Sequence, residues 1–159
     1  MKKNPPPIGV SLVLFDAEDY GTSADSWSYA KGSQFFAQNI PINYPMYAIN
    51  LDMIADREPE FYIERYSYQQ NPTLVLELWE LAESLNLKTF KKQAKYTIFD
   101  DHVPLYQMAG IPAIDIIDFD FPNEKTNYHH THQDIVQNCS PKGLGEVGTL
   151  MLNHIYNIK

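Results

Sequence analysis

Cysteine is almost missing from this sequence. Cys139 stands alone, which excludes an internal disulfide and any metal cage built from thiolates of this chain. Basic residues are scarce too: 12 Lys and Arg stand against 20 Asp and Glu, a formal net charge of -8. That balance disfavours a basic stripe able to neutralise phosphates, so nucleic acid is not an expected partner. No apolar run approaches the roughly 20 residues that a bilayer-spanning helix needs. The opening Met-Lys-Lys-Asn-Pro-Pro-Pro holds none of the apolar stretch of a signal peptide and leads straight into an apolar segment, as an internal loop would. Internal repeats and low-complexity tracts are absent as well. What is present suits a globular chain: 44% hydrophobic and 20% charged residues over 159 positions, enough for one domain spanning 1–159 with a true core.

The apolar segments fall into two periods. Ile8–Phe15 (IGVSLVLF), Pro45–Ala55 and Ala113–Ile117 are short runs rich in β-branched and aromatic residues with little alternation, and they predict strands buried on both faces. Helices are expected between them. One follows a long loop at Tyr20–Lys31 and runs to Gln38. A second starts at the Asn71-Pro72 cap and carries Leu74, Leu78, Trp79, Leu81, Ala82 and Leu85 at helical spacing. A short one ends near Met108. The last starts at Ser140-Pro141 with Leu144, Val147, Leu150, Met151, His154 and Ile155 on its apolar face. Strands alternating with helices predict an α/β three-layer sandwich with a mixed, largely parallel central sheet, whose sites gather beyond the carboxyl ends of the strands.

The chemistry-bearing residues lie at those ends. Glu18 and Asp19 are adjacent carboxylates after the first run, and neighbouring side chains of extended backbone point in different directions. One can bind a cation while the other handles protons, although an acidic loop start gives the same pattern. His129, His130 and His132 crowd one polar loop, and neutral imidazole is the commonest metal ligand. Asp52 ends the second run, and Asp100-Asp101 precede His102. These acids either meet at one rim, where close carboxylates repel and one holds a proton, or serve as helix caps. His154 and Trp79 read as packed core residues. The tyrosines at 62, 66 and 68 have no spacing that demands a function, and aromatic residues in a loop can also wall a pocket.

Four motifs in order, LVLFDAEDYG, NLDMIA, FDDHVPLYQMAGIPAIDII and YHHTHQD, resemble the second half of glutaminyl-peptide cyclotransferases and the related co-catalytic zinc aminopeptidases. The resemblance spans nearly the whole chain. It implies a phosphorylase/hydrolase-like, zinc exopeptidase type of fold, one zinc ion if cyclase-like and two if peptidase-like, and peptide or protein N-termini as substrate. It carries the general acid/base onto Glu18, zinc ligation onto Asp19 and His130, and a hydrogen-bond network of carboxylates onto Asp52 and Asp100. In the aminopeptidases the residue matching Asp52 binds the second zinc instead. Trp27, Phe121 and His129 fall where the substrate pocket is expected.

The departures are informative. Ala17-Glu18-Asp19 replaces a Gly-Glu-Glu pattern, and His129 stands where a Trp often precedes the ligand histidine. The family's upstream His and Asp ligands have no counterpart here and would lie before Met1, so a domain lacking its upstream part is expected. An uncovered sheet edge able to self-associate is the corresponding expectation for partners. The long loop at Tyr20–Lys31 favours the cyclases, because aminopeptidases place only a few residues between the carboxylate pair and the following Gly-Ser.

Overall fold

The computed structural model describes residues 4–41 and 43–158, so Met1–Lys3 of the proline-rich opening lie outside it. In chain order the longer elements are α1 (Lys31–Asn39), β1 (Ala48–Asp52), β2 (Phe61–Ile63), α2 (Arg65–Gln70), α3 (Pro72–Ser84), β3 (Phe90–Ala94), α4 (His102–Ala109), β4 (Ala113–Ile117), β5 (Pro122–Asn123), β6 (Thr126–Asn127) and α5 (Pro141–Asn157). β1 and β4 pair in parallel, with Ala48 beside Ala113 and Asp52 beside Ile117. β2 and β3 also pair in parallel, while β5 and β6 form a small antiparallel hairpin. The α/β class with parallel strands is therefore as the sequence predicts.

β4 reads AIDII and all five of its residues are buried, so a carboxylate, Asp115, sits in the middle of the core. Around β4 pack Phe61 of β2, the α3 stripe and the inner face of α5. On α3, Leu74, Val75, Leu78, Trp79 and Ala82 are buried at spacings of one helical face. The helix starts where Asn71 Oδ1 accepts from the Leu74 N–H at 3.2 Å and Pro72 follows. Each fully buried Leu there contributes about 1.5–3 kcal/mol of transfer free energy. The Trp79 indole N–H, which needs a partner once buried, donates to the Lys91 carbonyl at 3.0 Å.

The closing helix departs from expectation at one position. Leu144 is half exposed, and Gly143 faces inward with Val147, Leu150 and His154. A Cβ at 143 would lie 2.1 Å from the Ile54 carbonyl oxygen, so glycine alone allows α5 to press against the chain leaving β1. His154 is a packed histidine as predicted, sharing a 2.8 Å hydrogen bond with the Tyr47 hydroxyl.

Ile8–Phe15 is the larger correction. The segment forms no strand, and Leu12 and Leu14 are 88% and 98% exposed. Strand composition supplies a propensity, but a strand exists only where a neighbour accepts its ladder, and none of the described strands pairs with this segment. Phe15 is anchored, edge-on to Phe36 of α1 at 5.5 Å between centroids.

Past Phe15 the chain is held firmly. The N–H groups of Ala30, Lys31 and Gly32 donate to the carbonyls of Glu18, Ala17 and Asp16 at 2.8, 3.2 and 3.1 Å. The loop between them closes on itself, since the Thr22 N–H donates to Ser28 Oγ at 2.7 Å and a short 3-10 turn covers Ser26–Ser28. Among the described residues no helix is long and apolar enough to cross a membrane.

Candidate metal and carboxylate site

Asp19 and His130 lie 111 positions apart in the chain and meet with Asp19 Oδ1 2.6 Å from His130 Nε2. Both side chains are largely exposed. His130 takes a left-handed backbone, φ 58°, and its ring stacks on His129 at 3.7 Å between centroids with 25° between planes. His129 in turn meets Phe119 at 5.2 Å, and Phe119 meets Tyr96 at 5.3 Å. Lys95 fixes this wall from behind, with Nζ 2.7 Å from Asp120 Oδ2 and 4.4 Å from the centre of the Tyr62 ring.

Glu18 sits next to this pair, half-buried. Burial first, and then the negative charges of Asp100, Asp19 and Asp52, push its pKa up to about 8. Asp52, at the carboxyl end of β1, is pushed up to about 7 by burial and then by Asp100, with smaller contributions from Asp101 and Asp19, against a bond from the Met53 N–H. Burial raises Asp101 to about 6, and it stands at the start of α4 without a side-chain cap bond. The predicted carboxylates thus gather at one rim and repel one another. His129 is lowered, first by burial and then by the neighbouring His130.

The backbone is strained at the same rim. Ala17, just before Glu18, and Met53, just after Asp52, have φ of 51° and 49°. Non-glycine residues held there cost about 1–3 kcal/mol each and persist only where surrounding contacts over-determine them. The Gly-to-Ala departure noted in the sequence therefore falls on a position whose geometry favours glycine.

Trp27 lies in the closed loop, edge-on to Phe99 at 5.0 Å and 38% exposed. Phe121 is buried, edge-on to Tyr128 at 5.6 Å, while the ring that meets His129 is Phe119, which sequence reasoning had passed over. Other polar residues were also passed over. Asn50 of β1 donates through Nδ2 to Asp100 Oδ2 at 2.7 Å and to Asp115 Oδ1 at 3.1 Å. Glu64 caps α2 and faces His102 at 3.2 Å. A carboxylate inside the run AIDII was the available signal for Asp115, since apolar strands seldom spend a position on one.

A carboxylate and an imidazole converging on an exposed rim, with acids of raised pKa behind them, are residue types that bind zinc, two of the usual four ligands. Deeper in, Asp100, His102 and Asp115 also present ligand atoms within 4.8 Å of one another. The fold and these groups are those of a zinc metallopeptidase-type α/β domain. Residues 1–155 match the description of Peptidase family M28, and the chain belongs to that family.

Solved structures agree. The glutaminyl cyclase of Bacteroides thetaiotaomicron, bound to N-acetylhistamine, is 31% identical with a TM-score of 0.92 over 99% of this chain and 57% of its own. That of Tannerella forsythia is 36% identical with a TM-score of 0.89, over 97% and 56%. A Zn-dependent exopeptidase from Parabacteroides distasonis is 33% identical with a TM-score of 0.83, over 91% and 53%. The chain spans little more than half the length of these relatives. No curated protein matches it.

Proposed function

We propose that this chain carries the acid/base and part of the zinc site of an enzyme that converts an N-terminal glutamine to pyroglutamate with release of ammonia. The observation that carries this reading is Glu18, its pKa raised to about 8 beside the facing Asp19 and His130. Asp19 and His130 would hold the zinc, and a bound zinc ion supplies Lewis-acid polarisation of the substrate's side-chain amide. In the reaction the α-amine nitrogen bonds to the amide carbon and the bond from that carbon to the amide nitrogen breaks. One proton must leave the amine and one must reach the departing nitrogen. Glu18 does both, and a value near neutrality suits a group that is base first and acid second. Asp52 and Asp100 surround it with negative charge and thereby keep its proton affinity high. The closed loop with Trp27 supplies an aromatic wall for the substrate, alongside His129.

The chain would be assayed alone and joined to the upstream half of the Tannerella forsythia cyclase, scoring pyroglutamyl product and ammonia from a glutaminyl peptide. Activity in the joined form that falls at least about 100-fold in Glu18→Gln is expected. Unchanged turnover in that variant refutes the role of Glu18, and amino-terminal cleavage in place of cyclisation assigns the chain to the aminopeptidase chemistry, with Glu18 activating water.

The exposed Leu12 and Leu14 on an unpaired extended segment favour a second reading for the isolated chain, self-association through that edge. Light scattering decides it, and a strictly monomeric chain at high concentration refutes it.

A further inference from the structure

Behind the rim, a second polar group is sealed in the core: Asp100, His102 and Asp115 are 3%, 0% and 0% exposed. They come from the start of α4 and the middle of β4, and each presents a ligand atom within 4.8 Å of the other two. Proximity of acids alone does not make an ion site, but two atoms here give it direction. His102 Nδ1 and Asp115 Oδ2 face each other at 3.9 Å, and neither has a hydrogen-bond partner among the described residues. That separation is too long for a hydrogen bond. It suits two ligands of one ion, because bonds of roughly 2.0–2.2 Å to imidazole nitrogen and carboxylate oxygen let such a pair stand up to about 4.2 Å apart. Buried polar atoms without a partner are costly, and one ion between them satisfies both.

The groups around the three residues are those that support metal ligands. A ligating imidazole commonly gives its second ring N–H to a carboxylate, which fixes the ring. Glu64 Oε2 lies 3.2 Å from His102 Nε2. Glu64 is itself pinned: Oε1 accepts from the N–H groups of Tyr66 and Ile98, both at 2.9 Å, and Oε2 from the Ser67 N–H at 2.6 Å and the Ser67 hydroxyl at 2.9 Å. Asn50 Nδ2 donates to Asp100 Oδ2 at 2.7 Å and to Asp115 Oδ1 at 3.1 Å, which orients both carboxylates and leaves Asp115 Oδ2 free. Asp100 Oδ1 accepts from the Asp101 N–H at 2.5 Å, and a carboxylate oxygen that accepts one hydrogen bond keeps a second lone pair for a metal. Three buried carboxyl groups, Asp100, Asp115 and Glu64, share a single histidine, and buried charge of one sign is offset by pairing or by a metal. An ion on Nδ1 takes the place of a proton there and supplies that charge.

We propose that Asp100, His102 and Asp115 bind a divalent first-row transition-metal ion of the zinc type at a buried structural site, separate from the Asp19–His130 pair. One imidazole and two carboxylates suit such an ion, with one coordination position left to a small ligand. The ion ties β4 to the start of α4 and, through Glu64, to the cap of α2, and it fixes Asp100 where the rim begins. The site does not depend on the cyclase reading.

The test uses this chain with the rim pair removed, Asp19→Ser together with His130→Ser, so that zinc held there is not counted. Refolded from urea with zinc and freed of excess metal, this variant is expected to retain about one ion per chain and to melt at a temperature that rises with zinc concentration. Cobalt in place of zinc should give the visible absorption of a low-coordinate site, and the nitrogen-15 NMR signal of His102 Nδ1 should move on adding zinc. Glu64→Gln, which keeps all three ligands, should weaken zinc binding about 10-fold, and Asp115→Asn at least about 100-fold. Circular dichroism checks that each variant folds, and if Asp115→Asn does not, the His102 signal in the Asp19→Ser, His130→Ser chain decides. Absence of stoichiometric zinc after refolding, zinc held equally well with Asp115→Asn, or an Nδ1 signal that zinc leaves unmoved would overturn the site.

Discussion

Replacing Asp52 by asparagine should make the metal-free protein more stable at alkaline pH, although the change touches a residue of the site. The folded-state pKa of Asp52 is raised to about 7, whereas an unfolded aspartate titrates near 3.8. Between those values the folded form binds more protons than the unfolded form. The stability tied to this proton is therefore complete below the unfolded value and is lost as pH rises through the folded one. Three units of separation correspond to about 4 kcal/mol, and relaxation of the neighbouring acids lowers the recoverable part to about 2–4 kcal/mol. Asparagine has no proton to lose and keeps the shape. Urea unfolding of wild type and Asp52→Asn in a chelator, at about pH 4, 6 and 9, should give curves that nearly coincide at the lowest pH and separate by that amount at the highest. An asparagine variant that is less stable at the highest pH, or whose difference from wild type does not change with pH, refutes the electrostatic reading of the rim.

Two backbone predictions accompany this one. Gly32→Ala would place a Cβ 2.4 Å from the Asp16 carbonyl oxygen, a backbone atom that cannot swing aside, so a loss of about 1–3 kcal/mol and weaker zinc binding are expected by thermal unfolding and titration. An unchanged melting point would mean that the clamp is looser than drawn. Ala17→Gly relieves a left-handed alanine at φ 51° at the expense of a more flexible unfolded chain, for a net gain of about 0.5–1 kcal/mol, and a lower melting point would contradict it.

The legible parts of the sequence were those governed by local physics. The caps at Asn71-Pro72 and Ser140-Pro141 and the stripe along α3 depend on neighbours within a few residues, and each is found where the pattern places it. β4 could be read because every residue in it is buried. β2 and β3 could not, because three residues of FYI and the half-polar FKKQA acquire strand character only by lying beside each other. Ile8–Phe15 shows the converse, strong composition without a partner. At the site, the meeting of Asp19 with His130 spans 111 positions and no local spacing encodes it, so only motif order pointed there. The meeting of Glu64 and Asp115 with His102 escaped notice because the cap of α2, the start of α4 and the middle of β4 converge only after the core has closed.

The three hydrogen bonds from residues 30–32 back to residues 16–18 fix both ends of the loop that contains Trp27. Its ends are fastened to each other, and the loop's contents are tied to them through backbone carbonyls and N–H groups, Lys31 Nζ to the Trp27 carbonyl at 2.6 Å and the Gly21 N–H to the Asp19 carbonyl at 2.8 Å, so side chains that leave this backbone in place make the span from Tyr20 to Tyr29 an interchangeable cassette. Substitutions or insertions within it can reshape the aromatic wall while Glu18 and Asp19 keep their places. Selectivity and proton transfer are thereby separable in evolution and in engineering, and a library confined to those ten or so positions would sample the first without disturbing the second.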